Sequence, residues 1–403
     1  MAWDHPRGVD PLRAAAEGFR RADGEPVRIE WDARPLREFE DTPIDELARR
    51  YDLITVDHPL IGDACRPHPV LQDLTELISP QVLADCRNGS LGASFESYRW
   101  HGHLYALPVD AAAQVSAYRP DLIGPETITG AEFGPGPDPA PPRTWDELFA
   151  LVARLPAGRT IALAANPTHL YLSWLSLCHQ YAPNAAVLQD GRPDWWTDVG
   201  IDPRIGAAAL ADAYRLLDVC DNESLFLDPI GLLDRMATGD RIAYAPLVFG
   251  YCSYGREPGR QRSRHRLRFA GPPTPDGRPI GTVLGGVGLA VSTHSAHRRT
   301  AADFLERVAA PDYQRTDYVV TGGQPAAAEA WADAAANRLT NDFFRDSQET
   351  VGRGFLRPRG PGYPSFQITA GRMIHQAAVQ RSRPGEVVSA VNEAWSELCC
   401  SRS

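Results

Sequence analysis

Short apolar runs alternate with segments of helical periodicity along most of the chain. Leu53–Val56 is a run of apolar or β-branched residues, and the preceding segment Pro43–Arg50 places Ile44, Leu47 and Ala48 on one helical face. Apolar positions three and four residues apart predict an amphipathic helix, and a short apolar run bounded by polar residues predicts a buried strand. Alternation of the two patterns is typical of α/β proteins.

The same patterns predict eight strands and nine helices, separated by turns rich in glycine and proline. Gly124–Arg143, which has little periodicity, is predicted to be an exposed loop. Strands are predicted over Arg28–Trp31, Leu53–Val56, Leu104–Val109, Val115–Tyr118, Thr160–Ala164, Arg241–Ala245, Arg266–Ala270 and Gly288–Ser292. Helices are predicted over Pro43–Arg50, from the capping residue Thr144 to about Leu155, from near His169, and over Ala207–Val219, Ile230–Thr238, Ala301–Ala309, Asp312–Val320, Gln367–Gln380 and Glu386–Leu398.

The basic residues of this chain are all arginine. The 403 residues include 41 arginines, no lysine and 51 acidic side chains, for a net charge of −10. A Walker phosphate loop, a protein kinase and a Schiff-base enzyme each need an amine at a defined place. The N-terminus supplies the one amine of this chain, so the sequence argues against these three classes of protein. The acidic balance argues against nucleic acid as a partner, because binding it requires neutralising phosphates.

Cysteine usage and the N-terminal sequence indicate a compartment. The seven cysteines are irregularly spaced with no C-x-x-C pair, which argues against a disulfide framework and a zinc site and suits a reducing compartment. Met1–Arg7 carries charges and a proline but no apolar h-region, so it does not read as a signal peptide. No apolar run is long enough to span a bilayer. We therefore expect a cytoplasmic protein without membrane insertion, and no metal or cofactor.

Seven short segments, spread over nearly the whole chain, follow one another in an informative order. They are Gly102–Asp110, Ser116–Leu122, Pro142–Leu148, Met236–Tyr244, Leu284–Ser292, Ala301–Leu305 and Thr321–Pro325. This order resembles that of the extracellular solute-binding proteins of ABC transporters, and in particular their maltose-binding-like, carbohydrate-type branch.

The resemblance implies an α/β, periplasmic-binding-protein-like fold. Two α/β lobes would enclose an interlobe ligand cleft, joined by three chain crossings that absorb a hinge motion. Lobe I is expected to comprise residues 1–110 and 273–323, and lobe II residues 113–269 and 327–403, with the C-terminal helices packed on lobe II. The crossings are expected at 110–114, 269–273 and 322–327.

Candidate ligand-binding residues follow from the rule that ligands contact loops at the carboxyl ends of strands. Carboxylates and imidazoles bind sugar hydroxyls well, and arginines pair bidentately with a carboxylate or phosphate. Aromatic rings stack on a sugar or an aromatic ligand. The candidates are Trp3, Asp4, His5, Arg7, Asp57, His58, Asp110, His169, Tyr251, Arg357 and Tyr363.

Three functional hypotheses remain open at this point. The first is a solute-binding protein for a small polar organic ligand, carbohydrate-like or a carboxylate, that delivers its ligand to an ABC permease if it is exported. The second is an intracellular lyase, isomerase or hydrolase on the same fold, and the third is a cytoplasmic sensor. Acid–base chemistry in the enzyme would fall to Asp4, His5, Asp57, His58 and Asp110.

Overall fold

The computed structural model describes residues 1–21, 23–35, 42–65, 68–123, 140–182, 186–257 and 264–400. Most of the predicted loop Gly124–Arg143 lies outside these ranges. The described helices are α1 Pro6–Ala16, α2 Ile44–Arg50, α3 Ile61–Ala64, α4 Leu74–Leu77, α5 Pro80–Gly89, α6 Trp145–Arg154, α7 Pro167–Tyr181, α8 Pro203–Val219, α9 Pro229–Thr238, α10 Arg298–Ala309, α11 Pro311–Tyr313, α12 Ala328–Ala332, α13 Ala334–Leu339, α14 Phe343–Gly352, α15 Tyr363–Gln380 and α16 Pro384–Cys400.

The strands form one large mixed sheet and three two-stranded ribbons. In the large sheet the strand order is β3-β12-β6-β10-β7, and β11 pairs with β6 beside this path. The described strands are β1 Ala2–Trp3, β2 Ala33–Arg34, β3 Leu53–Val56, β4 Arg99–Trp100, β5 His103–Leu104, β6 Leu107–Tyr118, β7 Thr160–Ile161, β8 Trp196–Thr197, β9 Gly200–Ile201, β10 Ile242–Phe249, β11 Arg268–Ala270 and β12 Leu284–Val291.

Strand β6 connects the two halves of the large sheet. Residues 107–113 pair with β12, which in turn pairs with β3. Residues 114–118 pair with β10, and residues 116–118 pair with β11. All twelve residues of β6 are buried. One continuous buried strand therefore carries side chains from one half of the protein to the other.

Several predicted helices are confirmed together with the residues that cap their ends. The Thr144 hydroxyl accepts from the Glu147 amide while the Glu147 side chain bonds back, so a complete capping box begins α6. Asp228 caps α9 by accepting from the Gly231 amide, and Gly239 follows its last residue. These caps satisfy amides that have no partner within the helix, which is why short sequence patterns locate these helix ends.

Two predicted strand assignments are corrected. Arg28–Trp31 is not a strand; the strand in this region is β2, which pairs in parallel with β1. Arg28 and Glu30 are exposed, and the Asp4 amide bonds to the Arg34 carbonyl instead. The alternating polar and apolar residues at 28–31 predicted a strand, but no described strand pairs with them. The predicted strands at 104–109 and 115–118 are largely one strand, β6, because the alanines between them are equally buried.

The buried apolar side chains form two hydrophobic cores, and both include residues of β10. The first core contains side chains of α1, β3, the first half of β6, β12, α10 and α14, among them Leu12, Ile54, Leu107, Leu289, Phe304 and Phe343. The second core contains side chains of α6, α7, α8, α15 and α16, among them Leu148, Leu175, Leu210, Ile374 and Val391. None of the described helices combines the length and apolar character that a membrane span requires.

Gln324 joins the predicted third crossing to β6 and to the loop that follows β10. Its side-chain Nε2 donates to the carbonyls of Ala111 at 2.8 Å and Gly250 at 3.2 Å, and its Oε1 accepts from the Cys252 amide at 2.9 Å. The Gln324 carbonyl also accepts from the Ala111 amide. Three chain segments meet at this buried side chain. The residue boundaries of the lobes and crossings stay a prediction.

Replacing Gln324 by leucine should destabilise the protein by about 2 to 3 kcal/mol, because the buried Cys252 amide and Ala111 carbonyl lose their partner. Urea unfolding measures this change. The matched control is Gln81→Leu on the exposed face of α5, where the effect should stay within about 0.5 kcal/mol. Equal losses in the two variants would contradict the role assigned to Gln324.

Candidate functional site

A cavity lies between the two cores, bounded by loops at strand ends and by the middle of β6. The cavity itself has a volume of about 110 Å³, and it opens to solvent at its mouth. Its wall contains both apolar and polar side chains. The lining residues are Trp3, Arg7, Asp57, Pro59, Leu60, Asp110, Ala112, Thr168, His169, Leu172, Pro229, Phe249, Tyr251, Gly285, Gly286, Val287, Arg357, Pro364 and Gln367.

A buried ion pair between Arg7 and Asp110 forms one wall of the cavity. Arg7 lies in the first turn of α1 and reaches β6, where Nε donates to Asp110 Oδ2 at 2.7 Å and Nη2 donates to Oδ1 at 2.5 Å. Nη1 donates to the Gly250 carbonyl at 2.9 Å. Burial opposes the charge on Arg7, but the adjacent Asp110 carboxylate raises the pKa of the guanidinium. Burial raises the pKa of the Asp110 carboxyl and Arg7 opposes this rise, while the two-point contact fixes the pair geometrically.

Two aromatic rings of this wall are covered by the same guanidinium. The guanidinium carbon Cζ of Arg7 lies 4.6 Å from the ring centre of Tyr251 and 5.6 Å from that of Trp3. Cation–π contacts of this kind add to the fixation of Arg7. Part of the aromatic surface that a sugar ring could stack on is therefore used within the protein itself.

A second ion pair, between Asp57 and Arg357, also lines the cavity. Arg357 Nη2 donates to Asp57 Oδ2 at 2.7 Å, and Nη1 donates to Gln367 Oε1 at 3.0 Å. Burial would raise the pKa of Asp57, but the Arg357 cation and the bonds from His58 outweigh it and lower this pKa. Asp57 is therefore an anion across the ordinary pH range, with its charge matched by Arg357.

His169 is the imidazole that the structure places in the cavity wall. It lies in the first turn of α7, where its Nδ1 is 2.9 Å from the Oδ1 of the capping residue Asn166. Burial lowers its pKa to about 4, assisted by Arg357 and opposed by Asp228. At neutral pH the ring is uncharged, and its Nδ1–H donates to Asn166 Oδ1, which leaves Nε2 as an acceptor.

Four predicted site residues do not line the cavity. Asp4 is exposed, and His5 is the buried N-cap of α1, with its Nδ1 accepting from the Arg7 amide at 3.1 Å. His58 lies behind Asp57, with its Nδ1 3.2 Å from Asp57 Oδ1. Tyr363 is fully buried in the second core, and its hydroxyl lies 3.3 Å from that of Tyr171. The two Asp–His pairs therefore do not face a common space.

The other seven predicted residues are brought together around the one cavity, although their role in ligand binding stays a prediction. They are Trp3, Arg7, Asp57, Asp110, His169, Tyr251 and Arg357. The sequence reasoning missed Gln367, which lies in α15 and bonds Arg357. Its place one turn after the start of a helix that follows Arg357 was the available signal.

Gly286 allows the strand β12 to approach β6 at the cavity. Its φ of +116° lies in a region that favours glycine, and a Cβ built there would lie 2.3 Å from the Asp110 carbonyl oxygen. Any other residue would push β12 away from Asp110. Within the described ranges, no group of three or more His, Cys, Asp or Glu side chains is arranged to hold a metal ion.

Two cores connected by a long strand, with a polar cavity between them, define a two-lobed binding protein. A family model described as bacterial extracellular solute-binding protein matches residues 48–342. The chain belongs to this family, which confirms the resemblance seen in the sequence and the function of solute binding that goes with it.

Solved structures share the fold over nearly their whole length. The maltose-bound MalE3 of Thermotoga maritima has a TM-score of 0.76 at 18% identity, over 97% of this chain and 96% of that chain. An ABC transporter solute-binding protein of Thermotoga lettingae, bound with α-D-tagatose, has a TM-score of 0.75 at 16% identity, over 97% and 96%. One from Agrobacterium radiobacter, in complex with ribitol, has a TM-score of 0.72 at 18% identity with the same coverage. The periplasmic-binding-protein-like fold is thereby confirmed.

Arg7→Met should destabilise the protein by about 3 to 5 kcal/mol, because it leaves the Asp110 carboxylate buried without its cation. The double variant Arg7→Met/Asp110→Leu should recover much of that loss, since no unpaired charge remains. Urea unfolding of the single and double variants measures both values. A double variant as unstable as the sum of the two single variants would contradict a coupled pair.

The buried histidines predict a loss of stability in acid. Burial, followed in effect by the nearby Arg357, lowers the pKa of His58 to about 4, whereas the unfolded value is near 6.5. Below pH 6.5 the unfolded chain binds more protons than the folded one, so stability falls as the pH drops towards 4. His58→Asn should reduce this slope near pH 5 by about 1.4 kcal/mol per pH unit.

Urea midpoints at a series of pH values between 7.5 and 4.5 measure the slope. The exposed His68 supplies the matched control, and His68→Asn should leave the slope as in the wild type. A slope that is unchanged in His58→Asn would show that His58 is already protonated in the folded protein.

Proposed function

We propose that this protein binds a small, neutral, polyhydroxylated solute, a carbohydrate or a polyol, in the cavity between its two cores. The observation that carries the proposal is the pairing of charges in the wall. Asp110 is matched by Arg7, and Asp57 is matched by Arg357, each through a contact of 2.7 Å or less. The wall is polar, but each negative charge is matched by a positive one, and such a wall suits hydroxyl groups.

A carboxylate ligand is the poorer match to this arrangement. The three nitrogens of the Arg7 guanidinium already donate to Asp110 and Gly250, and Arg357 already bonds Asp57 and Gln367. An anion entering the cavity would lose its hydration next to two carboxylates and two cations that are committed elsewhere. Hydroxyl groups, in contrast, donate to the free lone pairs of carboxylates without bringing a charge.

The solved relatives point in the same direction. The proteins in three of the similar structures are bound with maltose, ribitol and tagatose, which are all uncharged polyols or sugars. The cavity's mixture of apolar side chains, such as Leu172 and Phe249, with directed polar groups suits molecules that have hydrophobic C–H faces and hydroxyl edges.

Delivery to a permease completes the proposal. The chain belongs to the extracellular solute-binding family, and two of the similar structures are solute-binding proteins of ABC transporters. For the exported protein, we propose the permease of such a transporter as the protein partner; a cytoplasmic protein would not meet it. The cytoplasmic location stays a prediction, and fractionation of the source cells followed by immunoblotting tests it.

Catalysis is not needed to account for the cavity. Of the residues predicted for acid–base chemistry, Asp57 and Asp110 line it, each held as the anion of an ion pair. His5 and His58 lie behind these residues, and Asp4 is exposed. Neither Asp–His pair therefore presents an acid and a base to the same ligand.

Isothermal titration calorimetry with maltose, ribitol and tagatose, each paired with an aldonate of similar size, tests the ligand class. At least one neutral compound should bind, and the aldonate paired with it should bind at least about tenfold more weakly because its charge must be desolvated beside Asp57 and Asp110. Tighter binding of the aldonates would overturn the proposal.

Asp57→Asn should weaken binding of the neutral ligand by about tenfold, since a charged acceptor of hydroxyl hydrogen bonds is lost. Asp4→Asn is the matched control, because Asp4 is exposed and is not among the described residues of the cavity wall. If both variants lose affinity equally, the cavity is not the binding site.

A further inference from the structure

Asn166, the N-cap of α7, binds His169 twice through one oxygen atom. Its Oδ1 accepts from the His169 backbone amide at 3.0 Å and lies 2.9 Å from Nδ1 of the same residue. A backbone amide can only donate, so the atom of Asn166 at this contact is its oxygen and not its nitrogen. That oxygen has no proton to give, and Nδ1 must therefore carry one. In the uncharged ring Nε2 is then the nitrogen without a proton.

The turn that contains Asn166 is fixed by its surroundings. The Asn166 amide donates to the Leu227 carbonyl at 3.1 Å, and the Asn166 carbonyl accepts from the Leu170 amide at 2.9 Å. Helix α15 lies directly on this turn at Gly371, where a Cβ would approach the Pro167 carbonyl oxygen to 2.8 Å. The position of Oδ1 is therefore set by the fold and not by a ligand.

The nitrogen of His169 that remains for a solute is Nε2. The residue lines the cavity although it is only 5% exposed, and its ring packs at a steep angle against Phe249, with 6.2 Å between the ring centres. Nδ1 is taken by Asn166, and among the described residues none donates to Nε2. The imidazole therefore offers the cavity an acceptor that has no charge.

This acceptor differs from the other two in the cavity wall. Asp57 and Asp110 are carboxylates with several lone pairs, and each is matched by an arginine. Nε2 of His169 has one lone pair, which accepts one hydrogen bond in one direction, and a buried acceptor left unpaired costs free energy. A hydroxyl group at this place is therefore favoured over an ether or carbonyl oxygen, which has no proton to donate.

We propose that Asn166 is a positioning residue that, by keeping the proton on Nδ1 of His169, makes this imidazole the acceptor for one hydroxyl group of the solute. Asn166 is not among the described residues of the cavity wall, so it acts through His169. The opposite tautomer would present a donor at the same place and favour an ether or carbonyl oxygen instead. The selection of a hydroxyl group rests on the proposed function; the position of the proton does not.

Nuclear magnetic resonance of isotope-labelled histidine nitrogens locates the proton without any ligand. At neutral pH the signals of His169, identified by their loss in His169→Asn, should show a protonated Nδ1 and an unprotonated Nε2. Asn166→Ser tests the cause, because serine caps a helix as well as asparagine but its shorter side chain does not reach Nδ1. The proton should then move to Nε2 in a large fraction of the molecules, while the melting temperature stays near that of the wild type.

A protonated Nε2 in the wild type overturns the proposal, and so does an unchanged proton position in Asn166→Ser. The matched control is Asp202→Ser at the N-cap of α8, where Oδ1 accepts from the amides of Arg204 and Ile205 and contacts no imidazole in the described structure. This control should leave the His169 signals unchanged. Equal changes in the two variants would show that any altered helix cap disturbs His169, which also overturns the proposal.

The affinity arm uses maltose, ribitol and tagatose, together with their monodeoxy analogues, in calorimetry. For whichever probe binds the wild type, removing the hydroxyl group that meets His169 should raise Kd about tenfold, and by much less in Asn166→Ser. A purely structural role of Asn166 would weaken the probe and all its analogues alike.

If every analogue has the same penalty in the wild type and in Asn166→Ser, the selection of a hydroxyl group by His169 is overturned. If the wild type binds none of the probes, the proposed ligand class is lost and this selection falls with it. The resonance spectra still decide in that case whether Asn166 sets the tautomer of His169.

Discussion

The ion pair of Arg7 with Asp110 is the interaction on which the rest of the site depends. It joins α1 to the middle of β6, the strand that connects the two halves of the sheet. Through the Gly250 carbonyl the same guanidinium holds the loop after β10, and this carbonyl also accepts from Gln324. Buried pairs add little net stability but are costly to break, so this one chiefly specifies a unique arrangement of the segments around the cavity.

This arrangement determines how charge is distributed along the cavity wall. The second pair, Asp57 with Arg357, lines the same cavity, and Gln367 also accepts a hydrogen bond from Arg357. Because each carboxylate has its own guanidinium, charge is present on both walls without a net excess at either pair. Under the proposed function, a solute would then be selected by the directions of its hydroxyl groups and by its shape, rather than by its charge.

Local chemistry explains which parts of the fold and site could be predicted from the sequence. The capping box at Thr144 and the cap at Asp228 act over three residues, so their helix starts were predictable. The loop at the end of β3 was expected to contribute Asp57, and Asp57 lines the cavity, while its role in ligand binding stays a prediction. The sequence pattern predicted the same role for the adjacent His58. In the structure the Asp57 side chain caps the helical turn His58–Leu60, and that turn directs His58 into the interior.

Long-range packing decides what the sequence left open. His5 is the N-cap of α1, so its ring serves the Arg7 amide rather than a ligand. Tyr363 looked like a platform for a sugar ring, but α15 packs on α7 and buries it beside Tyr171. Gln367 was missed since only the packing of α15 brings it to Arg357. The burial of Tyr363 depends on a residue far away in the chain, whereas the His5 cap spans two residues and the Arg357–Gln367 bond spans ten. Periodicity encodes none of these three contacts.

The absence of lysine has a structural counterpart in these contacts. Arg7 uses one planar group to bind both oxygens of Asp110 and the Gly250 carbonyl while it stacks against Tyr251, and Arg359 divides its donors among three carbonyls. An ammonium group is a single point of charge and cannot hold such a set in fixed directions. Because planar cations fix both ion pairs through several bonds each, binding a solute beside them would require little rearrangement of charge.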